Sequence, residues 1–60
     1  MKAADKKVFL KLVEELSELS VELLQQVNKP NKGRVKKILD EIEDVELRLK
    51  PVKKLLTTAS

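Results

Sequence analysis

The chain is predicted to be all-α: an antiparallel helical hairpin that self-associates into a four-helix bundle. Three observations predict this. Two long apolar stripes recur at helical spacing, a breaker-rich stretch separates them, and nowhere does the sequence alternate with the period of a strand. Sixty residues make a single domain, 1–60, and a core of that size rarely supplies more than roughly 3–5 kcal/mol without help. No cysteine is present to form a disulfide, so self-association and a bound metal are the remaining supports.

The first helix is expected over about 5–27. Asp5 is an acceptable N-cap, its charge at the favourable end of the helix dipole. Phe9, Leu12, Leu16, Leu19, Leu23 and Val27 then step by three and four, with Val13, Ser20 and Leu24 widening one flank. Residues 28–33, Asn-Lys-Pro-Asn-Lys-Gly, form the turn: Pro30 cannot continue the first helix, and Asn31 can cap the second. The second helix, about 34–56, carries Val35, Ile38, Ile42, Val45, Leu49, Val52 and Leu56, a heptad seam. Pro51 interrupts it and predicts a kink or a break into a short third helix, because an interior proline costs about 3 kcal/mol. The tail from Thr57 to Ser60 should fray. A short connection makes the helices antiparallel neighbours. Two helices cannot shield both stripes, and surplus apolar residues such as Leu10, Val21, Leu39 and Leu47 favour pairing of two hairpins.

Composition narrows the function. There is no histidine, tryptophan or tyrosine, and Phe9 is the only aromatic, which removes imidazole catalysis, His/Cys zinc sites and aromatic stacking platforms. The net charge of +3 arises in the second half, around Lys32, Arg34, Lys36 and Lys37 and again at Lys50, Lys53 and Lys54. This is not the dense basic stripe that a duplex binder needs. No apolar run approaches the roughly 18 residues of a membrane span, and the N-terminus lacks a signal-peptide core, so a cytoplasmic protein is expected.

The acids carry the chemistry. Glu15 and Glu18 are three apart, as are Glu41 and Asp44, so each pair occupies adjacent positions on one helix face beside the apolar stripe. In a hairpin turning near Pro30 and Asn31 the two pairs stand within roughly 3 Å of the same height. Four oxyanions at one level suit a hard divalent cation, Mg²⁺ or Mn²⁺. The plain alternative is a set of solvated helix-surface acids, with Lys37–Glu41 and Asp44–Arg48 as ion pairs worth about 0.2–0.5 kcal/mol each.

The string Val13-Glu-Glu-Leu-Ser-Glu-Leu-Ser, followed after 22 residues beyond Glu18 by Glu-Ile-Glu-Asp-Val-Glu, resembles the EExxE and ExxD motifs of MazG-like nucleoside triphosphate pyrophosphohydrolases. The likeness runs from Val13 to Leu56. It implies an all-α homodimer or homotetramer, with Mg²⁺ held by Glu15, Glu18, Glu41 and Asp44. The implied reaction cleaves a nucleoside triphosphate to the monophosphate and pyrophosphate. Metal ions would neutralise the triphosphate and activate water. Glu22, or less favourably the more outward-turned Glu14, would orient or deprotonate that water. Lys37 and Arg48 would stabilise phosphate charge, joined by Lys53 and Lys54 if the C-terminal segment folds over. The chain departs from the family in continuing only briefly beyond the second motif, in Pro51, and in having no aromatic to stack a base. A partner subunit would then supply the missing wall. The competing expectation is a non-enzymatic helical self-association or adaptor module, including a truncated or degenerate member of that family.

Overall fold

A computed structural model describes residues 1–59 and consists of two helices, α1 (Ala3–Asn28) and α2 (Lys32–Ala59), packed as a hairpin. Its extents of 41 × 16 × 14 Å are those of one layer of two helices side by side. Among the described residues there is no strand, and no helix is long and apolar enough to cross a membrane.

Each boundary has a local cause. At the start of α1, Lys2 is the N-cap, in extended conformation and without a side-chain cap. Asp5 therefore lies inside the first turn, not before it, where its charge still complements the dipole. The helix ends at Asn28 because Lys29 precedes Pro30, and proline forces its predecessor out of the helical region. Lys29 adopts φ −145°, ψ 84°, and its N–H closes on the Gln25 carbonyl at 2.8 Å. Asn31 caps α2 as expected: its Oδ1 accepts from the Gly33 N–H at 2.8 Å. A Cβ on Gly33 would stand only 3.2 Å from that oxygen, so glycine keeps the cap uncrowded.

The turn is held by side chains reaching across it. Gln26 donates from Nε2 to the Asn31 carbonyl and accepts the Asn31 N–H at Oε1, both at 3.2 Å. Arg34 donates to Gln26 Oε1 at 3.2 Å and to the Lys29 carbonyl at 2.9 Å. Together with a Glu22–Lys37 ion pair of 3.0 Å, these bonds set the register of α2 against α1.

Two sequence expectations are corrected. Of the two outcomes expected at Pro51, the break does not occur: α2 runs through it, and among the described residues there is no third helix. Thr57 and Thr58 also remain helical, their hydroxyls donating to the Lys53 and Lys54 carbonyls at 2.7 and 3.0 Å. Ser60 lies outside the described residues.

The core is thin and off-centre. Leu12, Ile38, Val45 and Val52 are its buried apolar residues, with Val8, Phe9 and Leu19 packed beside the cluster formed by Leu12, Val45 and Val52. On α1 the buried and half-buried side includes Val8, Leu12, Glu15, Leu19, Glu22 and Gln26. The expected stripe is thus rotated toward the acidic edge, and Leu16, Leu23 and Val27 are left 44%, 44% and 78% exposed. Val35, Leu49 and Leu56 are likewise exposed on α2. A single neighbouring helix covers only part of an apolar arc this wide.

Candidate metal centre

The rotation of α1 places acids in and beside the packing seam. Glu15, from the middle of α1, is buried to 8% exposure, while Glu18 one turn later is exposed and Glu41 on α2 is half-buried. One carboxylate oxygen from each of these three residues lies within 4.8 Å of the others. Three acids on two antiparallel helices therefore converge in the space that one cation would fill.

Glu41 experiences this crowding most strongly. Its Oε2 is buried and has no hydrogen-bond partner. Burial, then the charges of Glu18, Glu15 and Asp44, push its carboxyl above the usual range, with Lys37 pulling weakly the other way. A buried carboxylate oxygen without a donor is costly. Either a proton or a cation relieves it, and at neutral pH a hard divalent ion suits an all-oxygen donor set.

The four expected metal ligands are not equally placed. Glu15, Glu18 and Glu41 come together, whereas Asp44 is exposed and outside the trio, though its charge is felt at Glu41. Glu15 is also approached by Lys11 at 3.5 Å, and Lys11 reaches the exposed Glu14 at 3.9 Å. Glu14 is exposed and outside the trio, about 100° round α1 from the buried Glu15, on the side away from the seam.

Glu22, half-buried, is engaged by Lys37 at 3.0 Å and by Arg34 at 3.9 Å. Lys37 is thereby already committed to an acid instead of standing free for a phosphate. Arg48 is exposed on α2, two turns beyond Glu41. Lys53 and Lys54 stand about 18–20 Å along the axis from Glu41, because α2 is one helix and does not fold back. Lys53 lines an open depression of about 570 Å³ with Leu49, Val52, Leu56 and Thr57, remote from the acids.

Sequence reasoning did not single out Arg34 and Gln26, which order the turn end of the site. Their signal was present: both lie at seam spacing, Arg34 four residues before Ile38 and Gln26 four after Glu22, but polar residues at such positions read as interruptions and not as a cross-linked set. Comparison of the chain with protein-family models, with curated proteins and with solved structures gives no match, so no family is shown and the chemistry of these side chains carries the functional reading.

Proposed function

We propose that the protein is a Mg²⁺- or Mn²⁺-dependent nucleoside triphosphate pyrophosphohydrolase that works as a homo-oligomer, two hairpins pairing into a four-helix bundle. The observation that carries the cation is the buried, donorless oxygen of Glu41 facing the carboxylates of Glu15 and Glu18. The choice of substrate rests on the resemblance of the two acidic motifs, supported by their convergence in space.

Glu15, Glu18 and Glu41 would hold the ion, with Asp44 next in line from the exposed end of the cluster. When bound, the ion supplies charge neutralisation of the triphosphate and a more acidic water. The protein's own groups have separable tasks. Glu22, oriented by its ion pairs with Lys37 and Arg34, would accept a proton at its carboxylate one turn along α1 from Glu18. Arg48, on the exposed edge of α2, is available to a phosphate oxygen. Lys53 and Lys54 are too far along α2 to share that contact with the same chain's acids.

The test is pyrophosphate release from a panel of NTPs and dNTPs, with and without Mg²⁺. Glu18→Gln and Glu41→Gln should each lower it at least about tenfold and weaken Mn²⁺ binding in parallel. Undiminished release in both variants would remove the site. A second reading, a non-enzymatic self-associating or adaptor module, is favoured by the exposed apolar residues on both helices. Calorimetry with Mg²⁺ and a non-hydrolysable triphosphate separates the two, since the module predicts no coupled uptake.

A further inference from the structure

We infer that the apolar flank on the other side of the packing seam from the acids is a self-complementary interface for a second copy of this chain, and that each copy builds its carboxylate trio alone, away from that interface. This rests on the oligomeric part of the function proposed above and not on the cation.

The flank comprises Val13, Leu16 and Leu23 of α1 with Leu39, Leu49 and Leu56 of α2, all 44–59% exposed. Helical rotation sets it apart from the acids on both helices. Glu18 is about 140–160° round α1 from Val13, Leu16 and Leu23. Glu41 is about 160° round α2 from Leu39 and about 60–80° from Leu56 and Leu49, across the line of buried Val45 and Val52. Because the helices are antiparallel, these rotations run in mirror sense. These six apolar positions therefore share one side of the hairpin, and Glu15, Glu18 and Glu41 share the other.

Area argues for the occupant. The chain exposes 4979 Å². A compact monomer of 6.8 kDa would expose about 4,000 Å². The excess of about 1,000 Å² is close to the roughly 800 Å² that each partner contributes to a standard stable interface. A two-fold pair needs one patch that complements itself. The six residues carry no charge to repel their own copies, and two hairpins laid face to face complete a four-helix bundle.

The experiment is sedimentation of the full chain across a concentration series, alongside the variant Leu16→Glu/Leu49→Glu with its helicity followed by circular dichroism. The wild type should be a dimer or a dimer-based assembly, and the variant should raise the dissociation constant at least about hundredfold. Because folding of so thin a core is coupled to association, spin labels give a reading independent of the variant. Labels at Ser20→Cys, on the apolar side, should lie closer across the pair than labels at Glu18→Cys, at nearly the same height on the acidic side. A wild type that is monomeric at all concentrations overturns the inference, as does a dimer in which the Glu18 labels are the closer pair. If the dimer forms as stated but Mn²⁺ calorimetry on it shows no binding, only the cation reading falls.

Discussion

Replacing Pro51 by alanine should stabilise this protein more than any other single surface change. Pro51 is exposed and lies within α2, with Val52 buried and Leu55 half-buried immediately after it. Those two contacts keep the last two turns helical although proline contributes no N–H to the Leu47 carbonyl and its ring crowds that oxygen. The intrinsic penalty relative to alanine is about 3 kcal/mol in a helix interior. Leu47 is itself 56% exposed, so water meets part of the lost bond and the recoverable part is about 2–3 kcal/mol. For a domain of this size each kcal/mol moves the midpoint by roughly 4–8 °C, which predicts a rise of about 10–20 °C. The assay is thermal unfolding followed by circular dichroism at one fixed chain concentration, because association shifts the midpoint by mass action. A midpoint that stays put or falls in Pro51→Ala refutes the reasoning. It would mean that the path α2 takes at Pro51 is required for Val52 to reach α1.

Two further outcomes follow from the core and the acids. Leu12→Ala should cost about 2–3 kcal/mol, the lower part of the range for buried leucines because its neighbours are half-exposed and can close in. That is most of what so thin a core supplies, so the urea midpoint should fall steeply and the dilute variant should be largely unfolded. The Glu41 carboxyl is raised in the folded state by burial and by Glu18, Glu15 and Asp44, so its contribution to stability is full below the ordinary carboxylate value and lost as pH rises through the raised one. Metal-free wild type should therefore lose stability relative to Glu41→Gln as pH rises above the ordinary carboxylate value, and saturating Mn²⁺ at neutral pH should restore it in the wild type alone. Parallel pH profiles for the two proteins, measured by urea denaturation, would dismiss the crowding at Glu41.

Much of the hairpin was legible from residue order. Periodicity announced two helices, and Pro30 with Asn31 announced where one stops and the next begins; the structure places the cap on Asn31 and ends α1 just before Pro30. These features are local, set by what a backbone does next to a proline or an asparagine. The helix ends were less legible. Asp5 reads as a cap but sits in the first turn, and the threonines of the tail stay helical by bonding back to carbonyls four residues earlier. At Pro51 propensity argues for a kink or a break, and the break does not occur. The buried Val52 overrides it, an effect that no inspection of neighbouring residues supplies.

The candidate site divides along the same line. Residue types and spacing by themselves determined that carboxylates occur in pairs three apart, at similar heights on two facing helices, because helical rise and rotation follow from number alone. Which side of each wide apolar arc meets the other helix was decided only by tertiary packing. That choice turned Glu15 inward, brought Glu41 to Glu15 and Glu18 while leaving Asp44 outside, and tied Glu22 to Lys37 and Arg34. The same choice exposed Leu16, Leu23 and Leu49 on the opposite side. Rotation about a helix axis is nearly free until a neighbour arrives, so only the contact between α1 and α2 sets it.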